Sequence, residues 1–299
     1  MNERKVGMIG VGNMGGAMAL RLLDLGYEVG VRDLDPGREA EAVRGGARAY
    51  ATPAALAAIH GVVIVAVVDA AQAESVLFGS AGAASGGTAG ACVLLCPTID
   101  PASTEALAAR LAERGIDCID APMSGGPARA RDGSMSLMVA CADAVFAAHR
   151  PLVDALSSKV FRVGTRPGDG ARTKLVNNLL AAINLAGAAE ALALAERIGL
   201  DAARTLAVIE QSSGQSWIGS DRMRRAIAGD FAPRAHTSLL AKDTRLAIAM
   251  ADSAGFDAAL GGAAAAMFAR ACGAGLDGLD DACLLDLLRR HERRGAPDR

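Results

Sequence analysis

Apolar and polar residues alternate in blocks through the first half of the chain, and these blocks predict alternating strands and helices. Short apolar runs predict strands at residues 5–9, 27–32, 62–68, 92–96 and 117–119. Helical periodicity predicts helices between them at residues 70–77 and 101–114. Later apolar runs at 134–140 and 159–163 are predicted to close the sheet, and the glycine- and serine-rich segment 79–90 is predicted to be a loop. This order is typical of a parallel sheet covered by helices.

The pattern changes after Gly168, where no run resembles a strand and apolar residues recur at helical spacing. The sequence therefore predicts an all-helical second part. Its first helix, 170–198, would be about 40 Å long at ~1.5 Å per residue. Its alanine-rich composition favours burial between other elements or subunits. Asn177, Asn178, Asn184 and Glu190 interrupt the apolar stretch, which argues against a membrane span.

The first predicted strand runs directly into a glycine-rich turn, Gly10-Val11-Gly12-Asn13-Met14-Gly15, and then into an amphipathic helix. In this arrangement Gly10 permits a tight turn, Gly12 lets a pyrophosphate approach bare backbone, and Gly15 lets helix and strand pack closely. The N-terminus of the helix presents free N–H groups to the phosphates. The turn predicts a dinucleotide site of the Rossmann type, against the alternative of a glycine-rich turn that binds nothing.

Asp33, just after the second predicted strand, indicates which dinucleotide is bound. Its carboxylate can hydrogen-bond the ribose hydroxyls of NAD and would repel the 2′-phosphate of NADP. We therefore expect NAD as the cofactor. The neighbouring Arg32 and Asp35 leave NADP open, because an arginine at this place can partly accommodate the phosphate.

Length and composition bound the remaining possibilities. A chain of 299 residues suits one large or two ordinary domains, and a formal net charge of -2 with 3% aromatic residues argues against a nucleic-acid surface. The six cysteines show no paired spacing and no nearby histidines, so we expect reduced thiols and no metal. The predicted nucleotide strand begins at residue 5, which leaves no room for a signal peptide and favours a cytoplasmic protein.

Two further features could carry chemistry, and both are expected in a cleft between the cofactor domain and the helical domain. One is the turn at 120–127, whose glycine N–H groups and Ser124 hydroxyl could bind a carboxylate. The other is Lys174 with Asn178, four residues apart on one helix face. A lysine whose pKa is lowered by burial can exchange a proton with a substrate hydroxyl, which Asn178 could orient. An ordinary glycine turn and a solvated surface lysine remain the alternatives.

Four strings, in this order, resemble the β-hydroxyacid dehydrogenase family: V-G-M-I-G-V-G-N-M-G-G-A-M-A, D-A-P-M-S-G-G, K-L-V-N-N and L-L-A-K-D. The likeness runs from about Lys5 to about Leu288. It implies a fold similar to that of 6-phosphogluconate dehydrogenase: an N-terminal α/β Rossmann domain over 1–163 that binds NAD(P), and a C-terminal all-α substrate and oligomerisation domain over 164–299. The long helix and the exposed area of such a small helical domain indicate a homodimer or homotetramer.

The resemblance also implies roles for individual residues. Lys174 matches the catalytic general acid/base of the family, with Asn178 beside it holding the substrate. The positions that match the substrate-carboxylate loop are Ser124, Gly125 and Gly126. The positions expected to bind the cofactor are Gly10, Val11, Gly12, Asn13, Met14, Gly15, Asp33, Val67, Val68, Gln72, Thr98 and Lys242. Val68, Pro97 and Leu95 depart from the usual proline, serine and aspartate, and none of them removes a group that the chemistry needs.

The implied reaction passes a hydride from the hydroxyl-bearing carbon to the nicotinamide while Lys174 accepts the hydroxyl proton. We expect a small β-hydroxy acid such as 3-hydroxyisobutyrate as substrate. Specificity for the substrate is predicted to depend on segments 212–217 and 229–234. Trp217, in the first of these, either forms a wall of a small substrate pocket or packs in the core. Three alternative functions remain. They are an L-threonate dehydrogenase, an NADPH-dependent reductase of tartronate semialdehyde or glyoxylate type, and a catalytically inactive oligomerisation scaffold.

Overall fold

The computed structural model describes residues 4–293 and divides into two compact units, Met1–Lys174 and Leu175–Arg299. The first unit contains a sheet with helices, and the second consists of helices. The division falls between Lys174 and Leu175, inside one continuous helix, so the predicted domain boundary between residues 163 and 164 stays a prediction.

The described residues form one nine-stranded sheet in the first unit. Its strands are, in chain order, β1 (Lys5–Ile9), β2 (Glu28–Arg32), β3 (Arg48–Ala49), β4 (Val62–Val65), β5 (Cys92–Leu95), β6 (Asp117–Asp120), β7 (Met123–Ser124), β8 (Ser136–Ala140) and β9 (Lys159–Gly164). They lie in the order β3-β2-β1-β4-β5-β6-β8-β7, with β9 beside β8. The first six run parallel, so their carboxyl ends meet at one edge, where nucleotides bind in such sheets.

Helices connect the strands, and short polar side chains begin several of them. The helices of the first unit are α1 (Asn13–Asp24), α2 (Pro36–Arg44), α3 (Pro53–Ala57), α4 (Ala70–Phe78), α5 (Ala83–Gly86), α6 (Pro101–Ala112), α7 (Gly126–Asp132) and α8 (Asp143–Leu156). The side chains of Asp35, Thr52, Asp69 and Asp100 each accept a backbone N–H of the helix that follows. These caps satisfy amides that have no partner within the helix.

Apolar side chains of the parallel strands point alternately to the two faces of the sheet, and each face carries its own core. Met8 and Ile64 lie in one core. Ile9, Val63 and Val65 lie in the other. Burial on both faces explains why these strands read as continuous apolar runs rather than as alternating ones. The arrangement confirms the predicted α/β fold of this part of the chain.

Two parts of the first unit differ from the predicted pattern. β8 runs antiparallel to β6, although the alternation predicts parallel strands. The connection between them contains the seven-residue helix α7, which is about 10 Å long at ~1.5 Å per residue and too short to carry the chain back along the sheet. The segment 79–90, predicted to be a loop, contains α5, because Ala83 and Ala84 are small apolar residues that pack into a core.

The second unit is helical. α9 (Asp169–Arg197) continues into it, and the helices that follow are α10 (Ala202–Glu210), α11 (Trp217–Ile227), α12 (Thr237–Ser253), α13 (Ala259–Gly273) and α14 (Leu284–Arg293). Leu185 and Leu192 of α9 lie in its core with Phe268. As predicted, the described residues of this unit form no strand, and His236 and Asp280 make only an isolated bridge.

By length and composition alone, α9 is long and apolar enough to cross a membrane. Its Leu185 and Leu192 are nevertheless buried in the core of the second unit. Val176, Leu180 and Leu194 are 60%, 58% and 58% exposed. Within the described chain, the burial predicted for this helix is therefore only partial.

Candidate active site

The glycine-rich turn joins β1 to α1 at the carboxyl edge of the sheet. Gly10 has φ +87°, and its N–H donates to the carbonyl of Arg32 at 2.9 Å. Gly12 is the N-cap of α1, and no side chain of the described residues caps the first turn of this helix. The amides of that turn therefore remain available to a ligand, and the positive end of the helix dipole favours an anion there.

Gly12 and Gly15 have different surroundings. Gly15 is required by the packing of the fold, whereas Gly12 leaves space for a ligand. A methyl group on Gly15 would lie 1.9 Å from the carbonyl oxygen of Gly10, so the packing of α1 requires glycine. A methyl group on Gly12 would meet no described atom within 4 Å. The fold leaves space at Gly12 that an approaching pyrophosphate would use, and the turn fits a dinucleotide.

We expect Gly12→Ala to weaken NAD binding by at least about tenfold, or about 1.4 kcal/mol, because its methyl group would occupy the space of the pyrophosphate. Its stability should fall by no more than about 1 kcal/mol, the typical cost of placing alanine at an N-cap. Gly15→Ala should instead destabilise the fold by about 1–3 kcal/mol or more through overpacking. Calorimetric NAD titration and thermal unfolding measure the two effects. Unchanged NAD affinity in Gly12→Ala would contradict this assignment.

Asp33 follows β2, and its carboxylate reaches the glycine-rich turn. Its Oδ2 accepts the Val11 N–H at 2.6 Å, and its Oδ1 accepts the Asp35 N–H at 2.9 Å. Each carboxylate oxygen can accept a further hydrogen bond, so both remain able to receive ribose hydroxyls.

Glu39 of α2 completes this corner of the site, although no sequence motif indicates it. Its Oε2 accepts the backbone N–H of Asp33 at 3.1 Å and lies 3.3 Å from Nη1 of Arg32. The guanidinium that could have accommodated a 2′-phosphate is therefore already paired with a carboxylate. Arg32 is the residue that left NADP open in the sequence.

The other predicted cofactor positions of the first unit lie at the same edge of the sheet. Val67 follows β4, and Thr98 follows β5 and is half-buried. Val68 is half exposed, and its N–H donates to Oε1 of Gln72 at 3.1 Å. Gln72 thus fixes the turn after β4. Because β1, β4 and β5 are neighbouring parallel strands, the sheet brings these residues beside the Gly10 turn.

The predicted substrate turn begins where β6 ends. Ser124 is the last residue of β7 and pairs with Ser136 of β8. Gly125 and Gly126 follow with φ +134° and +77°, and α7 begins at Gly126. All three residues of the turn are half-buried. Since β6 is the neighbour of β5, this turn lies at the same edge of the sheet as the predicted cofactor residues.

Lys174 and Asn178 lie one turn apart on α9, and each is only 7% exposed. The alternative of a solvated surface lysine is therefore wrong. Nδ2 of Asn178 donates to Oδ2 of Asp243 on α12 at 2.7 Å, and Oδ1 accepts from Nδ2 of Asn177 at 3.1 Å. An ionised carboxylate only accepts hydrogen bonds, so Asp243 determines which side of the Asn178 amide faces it.

Asp243 also contacts Lys242, the predicted cofactor lysine of the second unit. Nζ of Lys242 lies 2.9 Å from Oδ1 of Asp243, which makes an ion pair without the directed geometry of a hydrogen bond. Asp243 thus connects the asparagine predicted to hold substrate with the lysine predicted to reach the cofactor. Asp243 stands 65 residues from Asn178, so no spacing in the sequence indicates this role.

Trp217 begins α11 and is 46% exposed, so the alternative of core packing does not hold within this chain. Ser216 accepts the Gly219 N–H at 3.1 Å and thereby caps the helix. His236 lies 3.0 Å from the carbonyl of Gly278. The side chains of Ser216 and His236 thus stabilise local structure, and Trp217 gives this segment a large, partly exposed apolar side chain.

Comparison with known proteins identifies the family. The NAD binding domain of 6-phosphogluconate dehydrogenase matches residues 5–164, and the NAD-binding domain of NADP-dependent 3-hydroxyisobutyrate dehydrogenase matches residues 168–288. An L-threonate dehydrogenase of Cupriavidus necator is 37% identical over 285 residues, which are 95% of this chain and 96% of that protein.

Solved structures show the same likeness. A 3-hydroxyisobutyrate dehydrogenase from Salmonella typhimurium superposes with a TM-score of 0.89 at 33% identity, over 95% of this chain and 99% of that one. Psf3 in complex with NADP+ and 2-OPP has a TM-score of 0.88 at 27% identity, with 95% and 99% covered.

The two domain matches and the hydroxyacid dehydrogenases among the relatives define the class of this chain as an NAD(P)-dependent oxidoreductase that acts on hydroxy acids. The chain belongs to the β-hydroxyacid dehydrogenase family. The predicted family, fold class and use of NAD(P) are confirmed.

Proposed function

We propose that this chain is an NAD-preferring dehydrogenase of small polyhydroxy acids, with L-threonate as its favoured substrate. One observation carries the chemistry: Lys174 is buried one helical turn before Asn178, whose amide Asp243 holds in place. A proton acceptor thus stands beside an orienting hydrogen-bond donor. The L-threonate dehydrogenase that is 37% identical over 95% of this chain supports the substrate. L-threonate is itself a β-hydroxy acid, because its β-carbon carries a hydroxyl.

Each residue has a distinct part in this proposal. A bound nicotinamide supplies the hydride acceptor. Nζ of Lys174 accepts the proton of the substrate hydroxyl during oxidation and returns it during reduction. Asn178 donates the N–H that Asp243 does not use to the hydroxyl oxygen. The Ser124 hydroxyl and the backbone amides of Gly125 and Gly126 bind the substrate carboxylate.

The preference for NAD rests on two carboxylates near the glycine-rich turn. Asp33 keeps lone pairs for the ribose hydroxyls and repels a 2′-phosphate. Glu39 pairs with the guanidinium of Arg32, a cation next to Asp33 that could attract that phosphate. Both features favour NAD by the same electrostatic argument.

A second candidate substrate is 3-hydroxyisobutyrate, which the structural likeness to a 3-hydroxyisobutyrate dehydrogenase favours. Its α-carbon carries a methyl group where that of L-threonate carries a hydroxyl, and its β-carbon lacks the hydroxymethyl group of L-threonate. A site that hydrogen-bonds these two additional hydroxyls discriminates strongly between the acids.

Steady-state assays that follow the reduced cofactor will test the proposal with L-threonate, 3-hydroxyisobutyrate, D-glycerate and L-serine, each with NAD and with NADP. We expect kcat/KM for L-threonate to exceed that for 3-hydroxyisobutyrate by about tenfold or more. A higher kcat/KM for 3-hydroxyisobutyrate would make that acid the favoured substrate and would leave the proposed reaction unchanged. Failure of every acid to reduce either cofactor would contradict the proposed activity itself.

We also propose a homo-oligomer in a reducing compartment. Val176, Leu180 and Leu194 give α9 an exposed apolar surface, which is typical of helices that pack between subunits. The six cysteines are free, which supports a cytoplasmic location. Analytical ultracentrifugation under assay conditions measures the oligomeric state.

A further inference from the structure

Asp120, the last residue of β6, holds the beginning of α9. It is 2% exposed, and its Oδ2 accepts the N–H of Gly168 at 2.8 Å and that of Ala171 at 3.0 Å. The first amides of a helix have no partner within it, and Asp120 supplies one for this helix. One buried carboxylate thus anchors the turn from which Lys174 follows.

The backbone before α9 is shaped to admit this carboxylate. Gly168 has φ +101°, a conformation that residues with a side chain rarely adopt. A methyl group on Gly170 would lie 2.8 Å from Cγ of Asp120 and 2.8 Å from the carbonyl oxygen of Met138. The two glycines let the helix start come into direct contact with the end of β6. The contact leaves the first turn of α9 little room to shift along the sheet.

We propose that Asp120 is a positioning residue for the reaction, which sets Lys174 relative to the substrate turn at Ser124. Lys174 comes three residues after Ala171, so the anchored amide and the lysine share one helix face. Ser124 comes four residues after Asp120 and is fixed by the pairing of β7 with β8. Asp120 therefore fixes the position of Lys174 relative to Ser124. This inference rests on the proposed role of Lys174 as the proton acceptor.

The protonation state of Asp120 affects the strength of this anchor. Burial raises the pKa of Asp120 to about 6, the N–H groups of Ala171, Gly168 and Gly170 oppose the rise, and the negative charge of Asp169 adds to it. Charged acceptors bind N–H groups more strongly than neutral ones. The anchor therefore weakens as the pH falls below about 6.

The other ionisable groups around Asp120 include two cysteine thiols and one ion pair. Burial raises the pKa of the Cys96 thiol to about 12 and raises that of Cys118 as well, so both are neutral wherever Asp120 titrates. Glu105 of α6 and Arg172 of α9 form an ion pair with each other near the beginning of α9. Asp120 is thus the group in this cluster whose charge changes near pH 6.

Asp120→Asn is the sharpest test, because the amide keeps the size and one carbonyl acceptor while the charge is lost. We expect kcat to fall by about 10²-fold, the effect of a displacement of about 1 Å at the reacting groups. KM for the hydroxy acid and the affinity for NAD should stay within a few-fold of wild type. The wild-type kcat should also decline as the pH falls through about 6, and this inflection should disappear in Asp120→Asn.

Asp117→Asn is the matched control, because Asp117 is an exposed carboxylate at the opposite end of the same strand. It should retain wild-type kcat and the wild-type pH profile. If Asp120→Asn does not fold, Gly170→Ala provides a second test, since its methyl group displaces the carboxylate and should lower kcat in the same way.

Lys174→Ala, assayed in the same series, separates the two proposals. An inactive Lys174→Ala together with a wild-type kcat and pH profile in Asp120→Asn would overturn the positioning role alone. An active Lys174→Ala would overturn the proposed role of the lysine, and with it this inference. Loss of kcat in both variants, with NAD affinity retained, would support both.

Discussion

Lys174→Ala should lower kcat for the hydroxy acid by about 10³-fold, because general acid–base catalysis contributes about 10²–10⁴-fold. This corresponds to about 4 kcal/mol of lost transition-state stabilisation, at ~1.36 kcal/mol for each factor of ten. The lysine is 7% exposed, so no bulk water stands ready at its position to take over the proton. NAD affinity should change little, since the glycine-rich turn is formed by β1 and α1. Single-turnover measurement of cofactor reduction reports the chemical step directly.

Two controls separate the loss of the amine from the loss of packing. Lys174→Met keeps the apolar stem, and it should lose the same activity while remaining closer to wild type in thermal stability. Lys159→Ala removes an exposed lysine at the beginning of β9 and should have no effect on kcat. Added alkylamine should restore part of the turnover of Lys174→Ala, because a free amine can enter the vacated space and accept the proton. Turnover of Lys174→Ala within a few-fold of wild type would refute the assignment.

The sequence predicts the parts of this site that depend on local pattern. The apolar run of β1 followed by three spaced glycines predicts a strand, a turn and a helix, and all of them are present. The spacing of Lys174 and Asn178 predicts a shared helix face, because both residues lie in one helix. Such predictions succeed where the interacting residues are separated by one or two turns.

The parts that the sequence does not predict are the contacts between distant segments. Asp120 meets the beginning of α9 across 48 residues, and Asp243 meets Asn178 across 65. The sequence does not indicate from which backbone N–H a carboxylate will accept a hydrogen bond, because the packing of the sheet and helices determines that partner. Glu39 is close to Asp33 in the chain, yet its role depends on how α2 packs back onto the end of β2. The supporting residues of the site are thus visible only in the fold.

Cofactor preference should respond strongly to the two carboxylates beside Arg32. Wild type should use NAD over NADP by about 10²-fold in kcat/KM, the equivalent of about 2.7 kcal/mol. Glu39→Gln releases the Arg32 guanidinium from its ion pair and should raise kcat/KM with NADP about tenfold. Asp33→Ser removes the carboxylate that repels the 2′-phosphate and should lower kcat/KM with NAD while raising it with NADP. The double variant should prefer NADP, because the released arginine can then meet the phosphate without an opposing charge.

Measured kcat/KM values for both cofactors in wild type, the two single variants and the double variant form a thermodynamic cycle. We expect the two changes to be more than additive for NADP, since each carboxylate hinders the same phosphate–guanidinium contact. Glu41→Gln is the matched control, because Glu41 lies on the same helix but pairs with Arg38, so the NAD to NADP ratio should not change. A wild-type preference for NADP would contradict the role of Asp33. An unchanged ratio in Glu39→Gln would show that the pairing of Glu39 with Arg32 does not select the cofactor.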